Sequence, residues 1–207
     1  MIGYVYETFA HLLFYLPFLL AFILCVCFFN KKHGVQTPPL HIAGCFLFML
    51  YITVVLNITG TWTLYDILLR GFSIGEISLV LFSDVRAFGF IMNIVLFLPL
   101  GFFLPLLFQG KNKFRSAALH GFLFSFAIET SQLFNLRTTD IDDLIANSLG
   151  AMLGFFLYRL LFRRKTFLSF LTTGENAYTK REPALIIVFL FLLRFFLMPL
   201  LYEIVYT

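Results

Sequence analysis

Apolar runs of 18–23 residues alternate with polar connections along this chain. Six runs qualify as spans: roughly Phe9 to Phe29, Leu40 to Ile58, Phe88 to Phe108, Ala117 to Phe134, Leu144 to Phe162 and Pro183 to Val205. Crossing hydrocarbon takes an α-helix about 20 mostly apolar residues. No run shows the alternation of a membrane β-strand, so helices rather than a barrel are expected. The pattern predicts an all-α, polytopic integral membrane bundle of about six transmembrane helices, with residues 1–207 as one membrane domain. The fourth run is the shortest and most polar, and the fifth opens in a cluster of carboxylates. The segment before the first run has Glu7 and no basic stretch, and the run is too long for the core of a signal peptide, so it reads as a retained helix.

The second connection, Thr59 to Val85, holds Trp62, Tyr65 and an apolar run from Ile74 to Phe82. That run is too short to span. It reads either as an interfacial or re-entrant segment or as a loop anchored by aromatic side chains. The fifth connection, through Thr172, Thr173, Gly174, Glu175 and Asn176, reads as a solvated loop.

Composition strengthens the membrane reading. The chain is 60% hydrophobic, only 13% charged and contains 30 Phe, with a mean hydropathy of +0.92. A chain with so few charges has no means of covering a water-facing surface. The net charge of +4 therefore points to orientation in a membrane and not to nucleic acid. Lys31, Lys32, Lys111, Lys113, Arg115, Arg163, Arg164, Lys165, Lys180 and Arg181 fall in the first, third and fifth connections. Only Arg70, Arg86 and Arg137 fall in the second and fourth. The first set is expected to face the cytoplasm, which puts both termini and the acidic Asp66, Glu76, Asp84, Asp140, Asp142 and Asp143 outside. Cys25, Cys27 and Cys45 lie within apolar runs and read as packing or lipid-facing residues, with no metal-ligand spacing. No metal-ligating residues are assigned from the sequence, and it leaves the cofactor unknown.

Ionisable groups are costly in a bilayer and usually face a protein interior. Ser125, Glu129 and Gln132 are spaced four and three apart, so they share one helical face. Around the start of the fifth span, Thr139 or Asp140 is suited to cap the helix, with Asp142 or Asp143 completing a capping box. Three acids in four residues exceed what capping needs. Asp143, Asn147, Gly150 and Gly154 follow at steps of four, three and four, a stripe that is polar at one end and small at the other. The glycine pair permits close approach of a second helix. Arg86 and Asn93 share a face of the third span, where Pro99 and Pro105 favour a kink. These residues fall at one depth. They predict a polar site near the outer face, built from Arg86, Asn93, Glu129, Gln132, Arg137, Asp140, Asp142, Asp143 and Asn147. A buried network that only fixes helix register is the competing explanation. Arg194, near the middle of the sixth span, calls for an acidic or carbonyl partner. His11, His33, His41 and His120 are expected away from this layer or without polar neighbours.

The run Arg86…Asn93-Ile-Val-Leu-Phe-Leu-Pro99-Leu-Gly101, then Ser125-Phe-Ala-Ile-Glu129-Thr-Ser-Gln132, Arg137 and Asp140-Ile-Asp142-Asp143-Leu-Ile-Ala-Asn147-Ser-Leu-Gly150-Ala-Met-Leu-Gly154, resembles the VanZ-like family. The resemblance covers residues 86–162. It implies a multi-pass protein of the bacterial cytoplasmic membrane, in a family whose founding member is associated with resistance to teicoplanin, a lipid-bearing glycopeptide.

Three functions compete. One is binding, at the outer leaflet, of an amphiphilic antibiotic or a lipid-linked cell-envelope precursor, with membrane lipids as further partners and no nucleic acid. A second is an intramembrane enzyme acting on a lipid-linked substrate, with Glu129, and Asp143 beside it, as candidate catalytic groups. A partly desolvated carboxyl is a competent general acid or base, and the Asp cluster is suited to oxygen-ligated cations. The third, a transporter, fits least, because the inner halves of the spans are almost wholly apolar.

Overall fold

Each apolar run folds as a helix, because a backbone inside hydrocarbon has only its own amides and carbonyls to bond. The computed structural model describes residues 2–71, 75, 77–78, 87–108, 111–134, 139–162 and 179–206. Among them are α1 (Ile2–Lys32), α2 (Pro39–Thr59), α3 (Leu64–Arg70), α4 (Ala87–Leu107), α5 (Phe114–Leu133), α6 (Ile141–Leu161) and α7 (Glu182–Tyr206). The rest of the regular structure is one parallel pairing of two-residue strands, β1 (Ile77–Ser78) with β2 (Thr139–Asp140). Among the described residues, α1, α2, α4 and α6 contain stretches long and apolar enough to cross a membrane.

Helix directions alternate along the chain, as six crossings require. α4 and α6 run parallel: Asn93 meets Asp143 near their starts, and the Phe102 ring meets Phe162 near their ends, with centroids 5.9 Å apart. Glycine sets how closely they approach. A Cβ on Gly101 would fall on the Ala151 carbonyl, one on Gly150 on the Ile94 carbonyl, and one on Gly154 on the Leu98 carbonyl. The predicted small-residue stripe is therefore the face turned to α4. α5 lies antiparallel to α6, with Gly121 against Ala151. The second parallel pair is α2 and α7, with Glu182 beside His41 at one end and Arg194 beside Asn57 at the other.

The interior is apolar between these ends. Tyr15, Leu19, Phe48, Ile52, Phe97, Leu100 and Leu104 are buried in one cluster, and Phe22 of α1 stacks on Phe189 of α7 at 4.2 Å. The exterior is apolar too: Phe28, Phe88 and Leu160 are 72%, 75% and 74% exposed. Large apolar side chains so exposed on helices of this length face lipid, and the chain is an integral membrane protein.

Of the connection between α2 and α4, the structure describes residues 60–71, 75, 77 and 78. Gly60, at φ 65°, ends α2 in the left-handed conformation. Thr63 and Asp66 then start α3 with a reciprocal capping box. Gly75 donates its N–H to the Leu133 carbonyl, and β1 lies on β2, so this connection docks on the junction of α5 and α6. Most of the Ile74 to Phe82 run lies outside the described residues.

Candidate functional site

The α5–α6 junction positions the acidic residues. Asp140 is the N-cap of α6, and its side chain accepts from the Asp142 N–H at 3.0 Å. A free N–H is present at any helix start, so an aspartate fits here. Its capping partner is the Asp142 amide, without the reciprocal box expected from the sequence. The Asp140 N–H donates in turn to Glu129 Oε2 at 3.3 Å. Glu129 is thus a carboxylate only 5% exposed, on α5, gripped by the turn that begins α6.

The next turn of α6 ties the helices together. Asn93 of α4 donates from Nδ2 to Asp143 Oδ1 at 2.5 Å. One turn further, Asn147 donates from Nδ2 to Ser125 Oγ of α5 at 2.9 Å. Its carbonyl Oδ1 is buried with no hydrogen-bond partner among the described residues. The stripe predicted as one face therefore serves two neighbours, with Asp143, Gly150 and Gly154 toward α4 and Asn147 toward α5.

Gln132 takes a separate role. Its Nε2 donates to the Thr59 carbonyl at 2.5 Å, bonding a carbonyl that the end of α2 leaves without a helical partner. Next to it, Ser131 Oγ accepts from the Trp62 N–H at 2.7 Å, and the Trp62 ring lies 5.1 Å from Phe134. Sequence reasoning did not find Ser131, Thr59 or Trp62 as parts of this layer. The i, i+1 step from Ser131 to Gln132 at the helix end was the available signal.

The structure thus links Asn93 with Asp143, Glu129 with Asp140, Asp140 with Asp142, and Asn147 with Ser125. It turns Gln132 toward α2. Arg86 and Arg137 lie outside the described residues. Four carboxylates at one end of a bundle favour cationic groups there. Asp66 is engaged at the α3 cap. Arg194 meets the expected carbonyl partner in the Asn57 side-chain amide, to which its Nη1 donates. His41 lies away from this layer, as expected, but it has polar neighbours of its own, with Cys45 Sγ and Glu182 Oε1 each 3.3 Å from its Nε2. Those partners escape a local reading because Glu182 lies 141 residues along the chain.

No curated protein and no solved structure matches the chain. A family model described as VanZ/LLP1 matches residues 12–163. The match reaches well before residue 86, so α1 and α2 are part of the family's shared region along with the motif-bearing helices, while α7 lies beyond it. It covers roughly three quarters of the sequence, and the chain belongs to the VanZ/LLP1 family.

Proposed function

We propose that the polar end formed by α4, α5 and α6 faces the cell exterior and binds the head group of a lipid-bearing ligand, an amphiphilic glycopeptide of the teicoplanin type or a lipid-linked cell-envelope precursor. The supporting observation is Glu129. A carboxylate buried to this degree is costly unless it is paired or used, and it bonds Asp140 at the junction that also carries Asp142, Asp143 and Asn147. In this reading Arg86 and Arg137 meet anionic groups of the ligand, the carboxylates and Asn147 meet its donors, and acyl chains lie along the exposed Phe surface. A role in glycopeptide resistance would follow from sequestering the drug or the precursor at the outer leaflet.

The test is equilibrium binding of fluorescent teicoplanin to the full chain in nanodiscs. Glu129→Gln and Arg137→Ala should each weaken binding about tenfold, in line with a hydrogen bond to a charged group of about 1.5–3 kcal/mol. Both variants should still insert and elute as folded protein. Unchanged affinity in both would remove the assignment. The same burial of Glu129 also favours a second reading, general acid or base catalysis on a lipid-linked substrate. Glu129→Gln that binds the precursor normally but no longer turns it over would favour the enzyme.

A further inference from the structure

The opposite end of the bundle carries chemistry that the site above leaves unused. α2 and α7 run parallel, so their first turns lie side by side. His41 and Cys45 are four residues apart and stand one above the other on one face of α2. Glu182, the first residue of α7, enters from across the gap. His41, Cys45 and Glu182 are only 1%, 4% and 5% exposed. The candidate donor atoms all lie within 4.8 Å of one another, and they line a small cavity together with Cys27 of α1 and Thr37.

Hydrogen bonding alone accounts poorly for this arrangement. A single ring nitrogen, His41 Nε2, faces both Glu182 Oε1 and Cys45 Sγ at 3.3 Å. That nitrogen holds either one proton or one lone pair, so it satisfies at most one of them with a linear bond. Glu182 Oε2 is buried with no hydrogen-bond partner among the described residues. A divalent cation removes both difficulties. Imidazole, thiolate and carboxylate each give it one lone pair, and its double charge cancels those of the thiolate and carboxylate, which suits an apolar surrounding. Tetrahedral bonds of about 2.0–2.3 Å place donor atoms about 3.3–3.8 Å apart. The two 3.3 Å separations are already those of such an edge.

We propose that His41 Nε2, Cys45 Sγ and a Glu182 carboxylate oxygen form a binding site for a zinc-class divalent ion. Thiolate with imidazole selects such an ion over magnesium or calcium, which prefer oxygen. Binding releases the Cys45 thiol proton to solvent and involves no redox change. The fourth position opens on the cavity beside Cys27 and Thr37. The ion ties α7, which lies beyond the family match, to α2, which lies within it.

Cobalt(II) alone, added to the full chain in detergent micelles, is the probe. One equivalent should bind, with a thiolate-to-cobalt charge-transfer band and the intense visible bands of a tetrahedral site, and zinc should displace it. The C25A/C27A double variant leaves Cys45 as the chain's sole thiol and should keep the band, while Cys45→Ser should lose it. Glu182→Gln should weaken cobalt binding at least tenfold. Absence of the band in the folded wild type or in C25A/C27A overturns the site, as does an unchanged band in Cys45→Ser. If Cys45→Ser fails to fold, the double variant still decides.

Discussion

Asn93 and Asp143 form the most direct polar link between α4 and α6, and their pairing has a measurable consequence. Interhelical hydrogen bonds in membranes contribute about 0.6–2 kcal/mol, and this one has a carboxylate acceptor. A double-mutant cycle with Asn93→Ala and Asp143→Ala should give a coupling of about 1–2 kcal/mol in reversible unfolding from mixed micelles. A coupling near zero would show that the two side chains do not depend on one another. Gln132→Ala should cost about 1 kcal/mol in the same assay by removing its bond to the Thr59 carbonyl. Much of this layer was legible in the sequence, because ionisable residues in apolar runs announce themselves and helical spacing assigns them to a face. What spacing lacks is the identity of the neighbour. A helix face is broad, and α6 packs on both α4 and α5, so Asn147 reached α5 while Asp143 reached α4. The His41 and Glu182 pairing was out of reach, since no local pattern joins residues so distant in sequence.

At the level of elements, the parallel contact of α4 with α6 carries the site, because it fixes the register between Asn93 and Asp143. Gly101, Gly150 and Gly154 set its depth by placing backbone against backbone. Gly154→Ala puts a methyl group onto the Leu98 carbonyl, which has no rotamer to give way. It should destabilise the protein by about 1–3 kcal/mol, the usual cost of overpacking. Gly89 of the same α4 has nothing within 4 Å of where its Cβ would lie. Gly89→Ala should be neutral, or stabilising by up to about 1 kcal/mol, since alanine is the better helix former. Equal effects of the two substitutions would contradict the tight packing. The stripe Gly150-x-x-x-Gly154 was visible as a motif, but Gly101 was not, because it becomes a contact residue only when its partner's register is known. Pro99 and Pro105 both sit inside one continuous α4, with the Tyr51 hydroxyl donating to the Leu96 carbonyl at 2.8 Å just before Pro99. That bond ties α2 to α4 one residue past the Val95 carbonyl, which is the one Pro99 leaves without its helical donor.

For the whole molecule, the alternating directions of six helices place Lys31, Lys32, Lys111, Lys113, Arg115, Lys180 and Arg181 at one end and the carboxylate layer at the other. Basic residues in short connections are retained on the cytoplasmic side during insertion, so the polar site should open to the exterior. A membrane-impermeant maleimide tests this in intact cells. The three native cysteines lie within α1 and α2, away from aqueous reagent, and can stay in place. Leu68→Cys, on the exposed side of α3 at the carboxylate end, should be labelled without permeabilisation. Asn112→Cys, exposed among the lysines between α4 and α5, should be labelled only after the membrane is opened. The reverse pattern would leave the fold and family membership intact. It would nevertheless end the outer-leaflet reading, because a glycopeptide outside the cell would then have no route to Glu129. Orientation is thus the step on which the passage from a membrane fold to a lipid-ligand function depends.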